Sequence, residues 1–417
     1  MSSKFLTPQS TQSTQSTVST KSTKSTLSTL SSIDNASSSE KPITPSLEKP
    51  SSLQKKKHHR VAMVCDFFYP SLGGVEQHIW SLSQALIKRG HKVIVITHAY
   101  GKRSGIRYMT NGLKVYYAPL VTMVDRVTLP TFFCFFPLLR QILIRERIEI
   151  VHCHQTTSQL SHEVILHAHT MGYKAVFTDH SLFGFADAAS INVNKVLEFT
   201  LAGIDHAIAV SNTCRENLTL RAALRPEMIS VIPNAIDPNQ FTPSSNKKRG
   251  VVGKKKTINI VVVSRLVYRK GIDLLVQVIP RICAEFPSVQ FIIGGDGPKR
   301  LDLEEMREKH HLHDRVELLG RVEHRKVRDV LIRGDIFLNC SLTESFCIAI
   351  LEAASCGLLV VSTNVGGVPE VLPDHMIRFA EPDEDSVFES LIDAFAMLKD
   401  VVSSEFHSQM KDMYVVG

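Results

Sequence analysis

Two carboxylates eight positions apart are the clearest chemical feature of this chain. In 343-TESFCIAILEAASCGLLVVST-363, Glu344 stands just ahead of an apolar helical run, expected at 346–355, and Glu352 lies inside it. Burying an acid in such a run is costly unless it finds a partner, and a sugar diol offers two hydroxyl donors. Glu344, at the helix start, is placed to accept from further sugar hydroxyls, beside free N–H groups that attract an anion. The plainer alternative is one acid favouring the helix dipole and one buried salt bridge. A second constellation is 260-IVVVSRLVYRKGIDLLVQVIP-280, where Arg265 and Lys270 follow a strand and precede a helix. Arg offers a planar fork to phosphate oxygens and Lys a point charge, so the pair suits a diphosphate, with a solvated basic loop as the alternative. The third is 65-CDFFYPSLGGVEQHIWSLSQAL-86, with Gly73 and Gly74 just before a helix. That arrangement favours an anion, although a glycine pair also makes an ordinary turn.

Other chemistries fit less well. The glycine-rich stretch 294-GGDGPKR-300 carries Arg300 where a dinucleotide fingerprint needs its third glycine, which disfavours a nicotinamide dehydrogenase. Metal candidates are weak: 383-DED-385 reads as an acidic loop, His152 and His154 flank a strand end, and 162-HEVILH-167 misses the HExxH spacing by one residue. No metal is expected. Eight cysteines without a CxxC pair make neither a disulfide framework nor a zinc ribbon and point to a reducing compartment. Net charge is +7, concentrated partly in 55-KKKHHR-60 and 247-KKRGVVGKKK-256. No nucleic-acid motif accompanies it, so both runs read as solvated linker, with attraction to an anionic membrane surface as the alternative.

Hydropathy patterning supplies the scaffold. Residues 1–50 contain 24 Ser or Thr, and such a segment cannot bury enough apolar surface to order itself. A disordered tail is therefore expected over 1–57. It lacks the apolar stretch of a signal peptide, so the sequons at Asn35, Asn217 and Asn339 are expected to be unmodified. From residue 60 the chain alternates strand and helix, with strands expected at 61–67, 92–97, 114–118, 148–152, 174–178, 206–210 and 230–232. After a Pro-, Ser- and Lys-rich pause, strands resume at 258–264, 290–294, 316–319, 336–338 and 359–362. This pattern means parallel sheets covered on both faces, with ligands bound at the carboxyl ends of their strands. We read an N-terminal Rossmann-like domain over 58–240, a basic linker over 241–256, a C-terminal Rossmann-like domain over 257–400 and a tail over 401–417. The uncharged run 127-VTLPTFFCFFPLL-139 is too short to span a membrane. It reads as a helix packed on the first sheet, with an aromatic patch that dips into a bilayer as the alternative.

Taken together and in this order, the three constellations resemble glycosyltransferase family 4, whose signature is a Glu, seven residues and a second Glu, as Glu344 and Glu352 stand here. The likeness runs from about residue 60 to about residue 398. The stretches 66–86, 177-FTDHSLFGFAD-187, 230-SVIPNAIDPNQFTP-243, 261–275 and 341–357 narrow it to the branch that begins glycosylphosphatidylinositol (GPI) anchor synthesis. The resemblance implies the GT-B fold, two facing Rossmann-like doubly wound α/β domains. It implies transfer of N-acetylglucosamine from UDP-GlcNAc to phosphatidylinositol, with retention at the anomeric carbon. The setting it implies is the cytosolic face of the endoplasmic reticulum membrane, in a complex with other subunits. By motif position, Arg265 and Lys270 hold the diphosphate, Glu352 the ribose and Glu344 the donor sugar. Ser345, Phe346 and Cys347 line the sugar pocket with backbone, Gly73 and Gly74 approach the phosphates, and His180 is the active-site histidine. His154 and Asp179 fall on the acceptor side. Two cations in place of a metal fit this scheme, so no cofactor is expected.

Members of this branch continue to a hydrophobic C-terminal anchor and a helix that returns to the first domain, whereas this chain ends at 410-MKDMYVVG-417. A truncated tail is the resulting expectation, and no transmembrane segment is read in the chain. The rival readings are a family-4 transferase with another sugar or acceptor, a sugar-nucleotide epimerase of similar architecture, and an inactive truncated subunit. Intact Glu344, Glu352, Arg265, Lys270 and His180 weigh against the last.

Overall fold

The structure, a computed structural model, describes residues 57–71, 73–123, 126–244, 257–399 and 401–414. The expected tail, apart from Lys57, and all but the first four residues of the expected linker lie outside the described residues.

Two sheets organise the chain. The first has eight strands in the order β3-β4-β2-β1-β5-β6-β7-β8, formed by β1 Arg60–Val64, β2 Lys92–His98, β3 Gly105–Tyr108, β4 Lys114–Ala118, β5 Ile150–His154, β6 Lys174–Asp179, β7 His206–Ala209 and β8 Ile229–Val231. The second has six in the order β11-β10-β9-β12-β13-β14, from β9 Ile258–Val263, β10 Val289–Gly294, β11 Val316–Gly320, β12 Ile336–Asn339, β13 Leu359–Thr363 and β14 Ile377–Ala380. Every pairing is parallel except β3 against β4. Central strands such as VIVIT in β2 and IVV in β9 are buried on both faces, so their sequence is a continuous apolar run rather than an alternation. β3 and β14 were not expected. β3 is a fully exposed GIRY edge strand, and β14 is a short IRFA strand with two half-buried residues. Neither carries the buried β-branched run that reveals a strand.

Helices connect the strands and begin with short polar caps. Ser158, Asp187 and Ser211 accept from the third backbone N–H of α3 Gln159–Thr170, α4 Ala188–Leu201 and α5 Asn212–Ala222. The helix α1 Gly74–Lys88 follows β1, and α2 Phe136–Glu146 precedes β5. In the second half lie α6 Ile272–Glu285, α7 Arg300–Lys309, α8 His324–Leu331, α9 Ile348–Ser355, α10 Glu384–Met397 and α11 Ser403–Tyr414. The acidic triplet proves to be the start of α10: Asp383 is its cap, and Asp385 accepts from Arg281 at 2.5 Å. Residues expected only as a tail form α11, which buries Phe406, Met410 and Tyr414.

The 127–139 stretch departs from the helical reading. The helix starts only at Phe136, with Pro137 in its first turn where the missing N–H is harmless. Ahead of it the chain arches: Leu129 N donates to Val121 O at 2.8 Å and Met123 N to Val127 O at 2.7 Å. Phe132 adopts a left-handed backbone at φ +50°.

At the far end of α2, Glu146 is buried beneath the sheet edge and accepts from Lys114, Lys92 and the Tyr116 hydroxyl, each at 2.6 Å. Burial by itself would raise its pKa, but these three donors hold it down to about 2. A depressed carboxylate contributes stability above its ordinary value of 4.5 and loses it as pH falls toward 2. Glu146→Gln should therefore lower the stability measured by urea unfolding at neutral pH by about 1–3 kcal/mol. It should also flatten the pH dependence of stability between those two values. An unchanged acid slope in the variant would contradict this account.

Candidate active site

The site lies where the carboxyl ends of both sheets meet. On the second sheet, β9 runs into the loop carrying Arg265, Arg269 and Lys270, which α6 ends. Gly271 is the pivot: at φ +66° a Cβ here would stand 1.7 Å from the Cys340 carbonyl oxygen, so only glycine lets this loop lie against the exit of β12. Leu342 N donates to Arg269 O at 2.9 Å and stitches the two loops together. Lys270 forms an ion pair with Glu344, and the Ser341 hydroxyl donates to the same carboxylate at 2.9 Å. Neither the Arg265 nor the Arg269 guanidinium has a hydrogen-bonded partner among the described residues. Burial and the neighbouring Arg265 press Arg269 below the usual arginine range, with Glu344 countering. The loop thus presents positive charge that Glu344 only partly compensates, the environment a diphosphate would neutralise.

Beside it, α9 opens on Cys347, a non-glycine residue at φ +71° that offers no side-chain cap. The first N–H groups of α9 stay available to an anion. Glu352, one turn into α9 and buried, accepts from His324 of α8 at 3.0 Å. The partner that a buried acid requires is thus a histidine, which spacing alone did not reveal. The Phe346 side chain turns into the core toward Tyr414, at 6.2 Å between ring centroids, which leaves only its backbone toward the site.

On the first sheet, four imidazoles gather at the strand ends. β5 extends to His154, two residues past its expected end, so His154 closes the strand rather than flanking it. His180 directly follows β6, and His78 sits in the second turn of α1. Ring centroids are 4.6 Å apart for His78 and His180, 5.7 Å for His154 and His180, and 4.2 Å for His152 and His154. Burial lowers all four pKa values, His78 to about 4 and His152 to about 3, so the rings are neutral at physiological pH. His154 is fully buried, with Nδ1 3.4 Å from His180 Nε2 and no partner for its own Nε2. It lies behind His180 rather than open to the cleft. His78, His154 and His180 bring ligand nitrogens within 4.8 Å of one another, the one group among the described residues that could hold a metal ion. His78 lies within the 65–86 string but was not singled out there.

Asp179, expected on the acceptor side, is fully buried instead. It accepts from Thr156 Oγ1 at 2.9 Å, Ser181 Oγ at 2.9 Å and Arg221 Nη1 at 3.1 Å. Its oxygens are consumed inside the domain, and its role is to position the loop that carries His180.

The two halves are joined through these same loops. Ser345 Oγ donates to the His180 carbonyl at 2.6 Å, and Ser211 Oγ donates to the Ser345 carbonyl at 2.7 Å. Glu370 reaches across to the N-terminus of α5, accepting from Asn212 N at 2.6 Å and Thr213 N at 2.9 Å. Burial would raise the Glu370 pKa, but these amide donors hold it below the usual range. Gly74 faces Ile348, with an added Cβ 3.7 Å from Ile348 Cδ1, so the N-terminus of α1 stands beside that of α9. Gly73 is extended, and a Cβ there would meet only the mobile carboxylate of Glu76. Arg265, Lys270, Glu344, Ser345, Cys347, His180, Gly73 and Gly74 thus flank one cleft, with Glu352 on the helix that borders it.

Two facing doubly wound parallel sheets with a cationic loop and a bare helix N-terminus in the cleft define a GT-B glycosyltransferase. Anabaena HepE in complex with UDP and glucose has this fold, with a TM-score of 0.68 at 17% identity over 86% of this chain and 96% of that one. The PIGA family (GPI anchor biosynthesis) matches residues 98–187, and glycosyl transferases group 1 matches residues 244–400. A phosphatidylinositol N-acetylglucosaminyltransferase subunit of Arabidopsis thaliana is 59% identical over 85% of this chain and 78% of its own length. The corresponding protein of Homo sapiens is 57% identical over 85% and 73%. The chain belongs to this PIGA family of phosphatidylinositol N-acetylglucosaminyltransferase subunits.

Proposed function

We propose that the chain transfers N-acetylglucosamine from UDP-GlcNAc to an inositol hydroxyl of phosphatidylinositol, the first step of GPI-anchor biosynthesis. The observation that carries this reading beyond the relatives' names is the cleft itself. Unpartnered Arg265 and Arg269 and the Lys270–Glu344 pair stand on one side, and neutral His180 stands on the other. The C1–O bond to the β-phosphate breaks, a new C1–O bond forms to inositol on the same face, and the inositol hydroxyl passes its proton to the departing β-phosphate oxygen. Charge gathers on the departing UDP, where Arg265 and Lys270 stabilise it; one such donor is worth about 10²–10³ in kcat. Glu344 holds the donor sugar, and backbone of Ser345, Phe346 and Cys347 lines its pocket. Glu352 holds the ribose with His324 behind it, and the backbone of Gly73 and Gly74 approaches the phosphates. His180 meets the reacting sugar with a neutral imidazole, backed by His154.

No metal or other cofactor takes part in this reading. The reaction runs at the cytosolic face of the endoplasmic reticulum membrane, within a complex that includes other subunits. The relatives' names support that setting, since they describe subunits of a transferase whose acceptor is a membrane lipid. No helix among the described residues is long and apolar enough to cross a membrane.

The test is transfer by membranes from cells that lack their own transferase but express this chain. Radiolabel from UDP-GlcNAc is expected in a lipid with an inositol headgroup, and label only in water-soluble products would overturn the reading. In the same assay, Glu352→Ala should weaken UDP binding about tenfold or more. Glu344→Ala should chiefly lower turnover, by about 10²-fold; wild-type behaviour of both would remove the assigned roles. Treatment with EDTA should leave the rate unchanged. A loss restored by Zn²⁺, Mg²⁺ or Mn²⁺ would instead give a metal to His78, His154 and His180.

A further inference from the structure

The arch ahead of α2 exposes more apolar surface than a soluble rim needs. Phe132 and Phe133 are 71% and 81% exposed, with Met123, Leu129 and Leu138 beside them. Such a patch on a folded chain marks an interaction surface. It is also built rather than loose. Glu163 of α3 accepts from Thr131 N at 2.9 Å and from the Thr131 hydroxyl, and Thr131 Oγ1 in turn accepts from Phe135 N at 3.1 Å. His167, one turn further along α3, bonds the Phe132 carbonyl at 2.7 Å. These contacts brace the left-handed backbone of Phe132, a conformation uncommon for a bulky residue, and hold both rings outward. Along α3 the apolar surface continues to a shallow hollow lined by Leu166 and by Phe199, which is 69% exposed.

Charge and position identify what covers it. Residues 121–145 contain three arginines, Arg126, Arg140 and Arg145, all exposed, and one acid, Asp125. The carboxylates packed against the segment, Glu163 and Glu146, are buried and hydrogen-bonded. Apolar side chains projecting from a basic border match the interface of an anionic bilayer, with rings among the acyl chains and guanidinium groups among the headgroups. The arch is also tied to the site: Thr128 N donates to Asp66 Oδ1 at 3.3 Å, and Asp66 follows β1 at the start of the loop leading to Gly73 and Gly74.

We propose that the exposed apolar face of residues 126–138, with Phe132 and Phe133, is the docking surface by which this chain inserts into an anionic phospholipid bilayer, at the rim of the cleft. The inference deepens the proposed function, since it rests on a lipid acceptor for its purpose, though not for its test. Docking there turns the cleft mouth toward the headgroup layer, so an inositol headgroup reaches His180 without leaving the membrane.

The test is flotation of the full purified chain with phosphatidylcholine vesicles containing about 30 mol % phosphatidylserine. Phe132→Ser/Phe133→Ser should reduce the vesicle-bound fraction at least about tenfold, and Phe132→Leu/Phe133→Leu should stay within about threefold of wild type. Both rings are solvent-exposed, so the urea midpoint and UDP affinity of the Ser variant should not change. Its transfer to detergent-dispersed, short-chain phosphatidylinositol should match wild type, while transfer to vesicle-borne acceptor falls. Vesicle binding by the Ser variant at the wild-type level would overturn the proposal. So would a wild-type chain that ignores vesicles, which would assign the patch to a protein partner. Phe-dependent flotation without any glycolipid product would support the docking surface and count against the acceptor reading alone.

Discussion

The site depends on a small set of hydrogen bonds that cross between the two sheets. Ser345 sits at their centre: its hydroxyl donates to the carbonyl of His180, and its own carbonyl accepts from Ser211. Each half carries only part of the chemistry. The second sheet holds the cations and the two signature acids, and the first holds the imidazoles and the glycine turn. Without the cross-connections these parts would stand on separately moving bodies, and reacting groups displaced by about 1 Å can lose two orders of magnitude in rate. Glu370 strengthens the joint, because its carboxylate satisfies two of the free N–H groups that begin α5 while Ser211 satisfies a third.

Electrostatics then divides the cleft. Positive charge is left partly uncompensated on the Arg265–Lys270 loop, where a diphosphate would neutralise it. The imidazoles opposite are kept neutral by burial, so they can accept as well as donate a hydrogen bond. The buried Asp179–Arg221 pair, with both side chains fully excluded from solvent, fixes the start of the loop that presents His180. Removing one member would leave the other charge buried and unpaired, which is why such pairs are positioning devices as much as stabilising ones.

Much of this was legible in the residues. Apolar runs marked twelve of the fourteen described strands, most clearly the central ones, because central parallel strands have no polar face to disguise them. The exposed β3 and the short β14 lacked that signature. Glu344, Arg265 and Lys270 could be singled out because each stands at a strand or helix end in a recognisable string, and Glu352 because it is an acid inside an apolar helix. What escaped was pairing between distant segments. His324 beside Glu352 and Glu370 on α5 are 28 and 158 residues from their partners, and no local pattern encodes such a distance. Nothing in the string around Asp179 showed that its oxygens are occupied by Thr156, Ser181 and Arg221. The 127–139 run is helical only from Phe136: ahead of it the left-handed Phe132 leaves Phe132 and Phe133 outward, while Phe135 and Leu139 keep to the buried face.

On the proposed reading the cross-sheet joint aligns two half-sites, of which the second, with Arg265, Lys270 and Glu352, makes most of the nucleotide contacts. Glu370→Gln tests it most directly, with UDP affinity and turnover measured on the same preparation. The account predicts a kcat lowered about tenfold or more with the UDP Kd within about twofold of wild type, because alignment is lost while the cationic loop is intact. A Kd that rises in step with the loss of turnover, or a turnover unaffected by the change, would contradict it.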